Sequence, residues 1–142
     1  MGKSVALFCK ISYTQRYADG GHDRVRVRGS SNITRIDLLY MNDDDYIDIV
    51  DSTLERLLYQ FEPDLVLYDA GVDVWEHDDL GKLNISWQGI EERDRLVLDT
   101  CLKRGTPVAT VIGGGYDKDH ARLARRHAIV VEQAYSLIHS NI

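Results

Sequence analysis

The feature that most constrains this chain is a pair of short apolar runs, each broken by glycine, with a helix-length segment between them. The first reads Pro63-Asp64-Leu65-Val66-Leu67-Tyr68-Asp69-Ala70-Gly71-Val72-Asp73, and the second Pro107-Val108-Ala109-Thr110-Val111-Ile112-Gly113-Gly114-Gly115-Tyr116. Apolar residues at consecutive positions, without alternation, mark a strand covered on both faces, and 108–112 reads as the next buried strand after 65–68. Between them Ser86 can cap a helix with Ile90, Val97, Leu98 and Cys101 on its buried side, and Lys103-Arg104-Gly105 ends it with cations and then glycine. The order is strand, loop, helix, strand, loop. Asp73 and Tyr116 are thereby delivered at the carboxyl ends of two parallel strands, where open α/β sheets place their sites.

The flanking segments extend this pattern. Residues 4–11 form an apolar run that reads as a strand. Over 12–35 the pattern dissolves into loop or disorder. Gly20-Gly21 and Gly29-Ser30-Ser31-Asn32 break it, and the alternation Arg24-Val25-Arg26-Val27-Arg28 fits either an exposed strand or a mobile loop. A brief apolar run follows at 36–40. Asn42-Asp43-Asp44-Asp45 then supplies helix-start chemistry, with acids suited to the positive end of the helix dipole. These acids lack the Ca²⁺-loop spacing, with its central glycine and terminal Glu. Ile47, Val50, Leu54, Leu57, Leu58 and Phe61 form one apolar stripe, stopped by Pro63. A last helix from near Asp119 carries Leu123, Ala124, His127, Val131, Ala134, Tyr135 and Ile138 on the side expected to be buried. No internal repeat or linker divides the chain, so 1–142 reads as a single domain.

Composition narrows the function classes. A net charge of −6 argues against nucleic acid or an anionic membrane as the main partner. Cys9 and Cys101 stand far apart and fit reduced thiols, which with no transmembrane-length run and no apolar signal core implies a cytoplasmic protein. Ala6 stands where a myristoylation signal needs Ser or Thr.

Several separate motifs carry a resemblance. The run Phe61-Glu62-Pro63-Asp64-Leu65-Val66-Leu67-Tyr68-Asp69-Ala70-Gly71-Val72-Asp73 resembles the histone deacetylase family. So do Asp79-Leu80-Gly81-Lys82-Leu83-Asn84-Ile85-Ser86, then Gly89-Ile90, Arg93-Asp94, and Gly113-Gly114-Gly115-Tyr116. The wording is like that of bacterial and small-class eukaryotic members. It covers roughly 43–142, whereas 1–40 fits only loosely.

The resemblance implies an arginase-like α/β fold, a partial parallel sheet flanked by helices in three layers, and a zinc-dependent amidohydrolase acting on acyl-lysine or related acylated amines. It implies Asp73 as a zinc ligand and Tyr116 as the hydrogen-bond donor to the developing oxyanion. Leu80 would line the acyl-lysine channel, with Gly114 and Gly115 forming part of its wall. The residue types suit that chemistry. A carboxylate is a good zinc ligand, a phenol facing the metal stabilises a tetrahedral intermediate, and glycine lets the backbone approach substrate closely.

The family's His-His dyad and Asp-x-His ligands have no counterpart in this sequence. His22, His77, His120, His127 and His139 lack that context; His127 reads as a core residue of its helix, and His120 and His139 as surface residues. The chain therefore reads as the carboxyl-terminal part of a deacetylase: a truncated or frameshifted gene, an expressed fragment, or a subunit completed by another chain. Inactivity alone is expected, as is a homo-oligomer or a complementing chain, because strands cut from a larger sheet leave an unpaired edge. The rival from another class is a non-catalytic α/β interaction module. A phosphate site at the glycine triplet ranks last, lacking the Walker lysine and the spaced glycines.

Overall fold

The computed structural model describes residues 6–10, 26–29, 32–34, 41–81 and 83–140. In chain order the elements are β1 (Ala6–Lys10), β2 (Arg26–Gly29), β3 (Asn32–Thr34), α1 (Asp43–Phe61), β4 (Leu65–Asp69), α2 (Trp87–Lys103), β5 (Val108–Val111) and α3 (His120–His139). The strands form one sheet in the order β3-β2-β1-β4-β5. β1, β4 and β5 run parallel, with Phe8 opposite Leu67 and Tyr68 opposite Thr110; β2 and β3 extend the sheet antiparallel beyond β1. Helices flank this small parallel sheet, with α2 packed on both α1 and α3. Among the described residues no helix is long and apolar enough to cross a membrane.

Helix ends follow local chemistry. Asn42 caps α1 by accepting the Asp45 amide at 2.9 Å. Asp43 takes the Ser86 amide at 2.9 Å and the Ser86 hydroxyl as well, while Ser86 itself caps α2, so the two helix starts are tied together. The start of the acidic run is thus spent on helix-start hydrogen bonds, made by Asn42 and Asp43. At the other end of α1, Glu62 adopts φ 40°, and its amide reaches the Leu58 carbonyl. Pro63 disfavours the right-handed helical region for the residue before it, which accounts for the stop. The core joins Val50, Leu54 and Leu57 of α1, Val66 and Tyr68 of β4, and Ile90, Val97 and Leu98 of α2.

Two expectations are corrected, and one open alternative is resolved. The run 108–112 is not a buried strand: among the described strands β5 lies at the sheet's edge, paired with β4, and Val111 and Ile112 are exposed. An edge strand is covered according to its place in the strand order, whatever its composition. In 12–35, Arg26–Gly29 takes the strand alternative and Asn32–Thr34 pairs with it. The rest of that stretch, with His22, and the run at 36–40 lie outside the described residues.

Part of the stripe expected to be buried on α3 turns outward: Val131, Tyr135 and Ile138 are exposed, while Leu123 and Ala134 stay partly buried against the core and Arg126, Ile129, Val130 and Leu137 are buried. The reason is Arg126. Its guanidinium lies 3.8 Å from the Trp75 ring centroid and its Nη1 donates to Asp117 at 2.8 Å, so a charged face is drawn against the core and the helix is rotated accordingly.

Candidate functional site

β4 and β5 end side by side, and their register continues past the ladder. The Ala70 amide donates to the Val111 carbonyl at 3.1 Å and the Val72 amide to the Gly114 carbonyl at 2.6 Å. The exit loops touch because glycine permits it: a Cβ on Gly114 would stand 2.5 Å from Asp73 Oδ2. A Cβ on Gly81 would stand 2.0 Å from the Asp73 carbonyl oxygen. Asp73 is therefore closely approached by two glycine backbones, Gly114 at its carboxylate and Gly81 at its carbonyl. Asp73, Asp78, Leu80, Gly81, Gly114, Gly115 and Tyr116 line one cavity of about 260 Å³.

Two buried ion pairs brace the loops from behind. Arg93 Nη1 donates to the Gly71 carbonyl at 2.7 Å, fixing the backbone two residues before Asp73, and Arg93 Nε donates to Asp94 at 2.9 Å. Tyr68 donates its hydroxyl to the same Asp94 oxygen. Burial holds the Tyr68 phenol well above its usual range, so it remains a donor. Behind the second loop, Asp117 accepts from Arg122 at 2.7 and 2.8 Å and from Arg126 at 2.8 Å. Arg126 lies against Trp75, so this pair ties the Tyr116 loop to the Asp73 loop. Burial pushes the Cys101 thiol up to about 11, which leaves it a poor nucleophile at neutral pH.

These groups make stability depend on acidity. Hydrogen bonds from Arg122 and then Arg126 hold the Asp117 carboxyl well below the usual range, and burial, followed by the charges of Arg126 and Arg93, lowers the His127 imidazole. Both groups bind protons more readily in the unfolded chain. The stability they contribute is present at neutral pH and is lost as pH falls, first below about 6.5 as unfolded His127 protonates, then below about 4 through Asp117. Urea midpoints at about pH 7.5, 5.5 and 3.5 should fall in that order, and His127→Gln should shrink the first drop while leaving the second. A wild-type midpoint that rises on acidification contradicts the assignment.

Strand-end loops that bring an acid, a phenol and bare glycine backbone onto one cavity define an α/β domain with its site at the carboxyl edge of the sheet. The histone deacetylase domain matches residues 14–133, and the chain belongs to the histone deacetylase family. An uncharacterized protein of Picosynechococcus sp. is 52% identical over 90 residues, a match covering 63% of this chain and 30% of that protein. Histone deacetylase 2 of Arabidopsis thaliana is 39% identical over 80 residues, covering 56% of this chain and 21% of that protein. The chain thus spans less than a third of either relative. Among solved structures, the HDA15 HD domain superposes with a TM-score of 0.51 at 21% identity, over 72% of this chain and 28% of that one, a likeness of fold.

The five residues singled out in the sequence, Asp73, Leu80, Gly114, Gly115 and Tyr116, all border the one cavity. Asp78 and Gly81 join them, and Arg93 supports them; Gly81 and Arg93 lie inside the quoted motifs but were assigned no role there, and Asp78 stands just before the motif that opens at Asp79. His77, His120 and His139 are exposed and His127 is half-buried. The donor set does not make a zinc centre. Among the described residues no group of three or more His, Cys, Asp or Glu is placed to hold a metal ion, and a catalytic zinc takes about three protein ligands. Asp73 is one carboxylate, and Asp78 already receives three backbone amides.

Proposed function

We propose that this chain supplies part of a zinc-dependent amidohydrolase site for acyl-lysine or related acylated amines, and that it is inactive alone. The observation that supports this reading is the meeting of Asp73, Tyr116 and Leu80 around one cavity at neighbouring strand ends. In this reading Asp73 contributes one zinc ligand. Tyr116 donates its hydroxyl to the oxyanion that forms as the amide carbonyl becomes tetrahedral. Leu80 and the backbone of Gly114 and Gly115 form the wall along which the substrate's alkyl stem lies. The remaining ligands and the general base come from a complementing chain of different sequence.

The test is zinc titration together with hydrolysis of an acetyl-lysine reporter, for wild type and Asp73→Ala. Wild type should bind zinc weakly and without turnover, and Asp73→Ala should lose at least about tenfold in zinc affinity, the scale of removing one ligand-side interaction. Equal zinc binding in both proteins removes Asp73 from the site. Turnover by wild type alone overturns the inactivity and means the missing groups lie within this chain.

One observation favours a binding module instead. Ile112, Leu123, Ala124, Ala128 and Val131 line an open, mainly apolar groove beside the edge strand, with His120 and His127 at its sides. Exposed apolar grooves of this kind mark interaction surfaces.

A further inference from the structure

Leu80 and Tyr116 are both exposed, at 61% and 48%, so packing does not fix either side chain. Their backbones are fixed by one group. Asp78, itself buried, accepts the Leu80 amide at 2.9 Å and the Gly81 amide at 2.7 Å on Oδ1, and the Tyr116 amide at 2.7 Å on Oδ2. The first two bonds close a turn within the loop that follows β4. The third crosses 38 residues of sequence to the loop that follows β5.

We infer that Asp78 is a positioning residue: its carboxylate sets the distance between Leu80 and Tyr116 across the cavity, and so the width of the passage a substrate would enter. The inference rests on the proposed role of Tyr116 for its catalytic meaning, though not for its geometry.

The side chain's chemistry makes the assignment specific. An ionised carboxylate is acceptor-only, with room for three N–H donors on its two oxygens. An asparagine has one acceptor oxygen and an NH₂ group. Whichever way the amide turns, that NH₂ faces either the Tyr116 amide or the Leu80 and Gly81 amides, donor against donor. Asp78→Asn is nearly isosteric and still must release one loop from the other. Asp78→Glu keeps both oxygens on a stem one methylene longer, so it can re-form the bridge with a small offset.

The experiment is amide hydrogen exchange read residue by residue by NMR on the full chain, without added metal or substrate. In Asp78→Asn, protection of the Tyr116 amide, or of the Leu80 and Gly81 pair, should fall by about tenfold or more, which corresponds to the loss of one hydrogen bond to a charged group. The buried α2 amides of Val97 and Cys101 should be unchanged, and Asp78→Glu should recover most of the lost protection. Three results overturn the inference: Tyr116 exchanging in wild type as fast as an open amide, no change in Asp78→Asn, or an equal fall at Val97 and Cys101. If Asp78→Asn does not fold, Asp78→Glu carries the test through the same amides, and unchanged core protection with Tyr116 fully open there also overturns it. Because no zinc or turnover is read, failure here is distinct from failure of the proposed function, which the Asp73→Ala titration decides.

Discussion

Asp94→Ala is expected to destabilise the chain by roughly 3–5 kcal/mol, the scale of leaving one partner of a buried ion pair uncompensated. Against a total of about 5–15 kcal/mol for a domain, that places the variant at or near unfolding. Arg93 is fully buried, and Asp94 is its only anionic partner among the described salt bridges, at 2.8 Å from Nη2. Removing the carboxylate strands a guanidinium in the core and takes the acceptor from the buried Tyr68 hydroxyl. Charge is the cause, so removing both charges should cost less than removing one: the double variant Arg93→Met with Asp94→Leu is expected to melt above Asp94→Ala. Urea unfolding of the three proteins checks this. An Asp94→Ala midpoint within about 0.5 kcal/mol of wild type, the range of an ordinary surface change, would falsify the account.

Gly113→Ala is the second large effect. A Cβ there would stand 1.7 Å from Asp69 Oδ1 and 2.8 Å from the Gly71 Cα, and the second contact is backbone that cannot rotate away. The exits of β4 and β5 would have to part, at a cost of about 1–3 kcal/mol for overpacking. The separation would also carry the Tyr116 loop away from Asp73. The expected result is a lowered thermal midpoint together with changed NMR shifts at Val72 and Gly114, whose mutual hydrogen bond depends on that register. A variant that keeps the wild-type midpoint and both shifts shows that the exits have slack the close contacts do not suggest.

Elements whose ends are written in local chemistry were legible from the residues alone. Ser86 and Lys103-Arg104-Gly105 bracket α2 because capping and glycine act within a few residues. The α1 stripe was legible because Val50, Leu54 and Leu57 repeat at helical spacing against one core. Long-range order was not legible. The exposure of β5 follows from its last place in the sheet, which no window around Val108 contains. The face α3 buries depends on Arg126, a residue type normally given to solvent, meeting Trp75 and Asp117 from other segments. In the site, Asp73, Tyr116, Leu80, Gly114 and Gly115 were marked by motif wording. Asp78 stands one residue before that wording, and its bond to the Tyr116 amide, 38 residues away, has no local signature.

The contact between Trp75 and Arg126 also gives the molecule an optical handle. Its two tryptophans occupy different settings: Trp87 heads α2 and donates its indole N–H to Glu91 at 3.0 Å, whereas Trp75 sits two residues beyond Asp73 with a guanidinium across its ring. A cation over the indole shifts its emission, so with Trp87 replaced by Phe the fluorescence of Trp75 becomes a label-free gauge of how closely the loop after β4 is seated against α3.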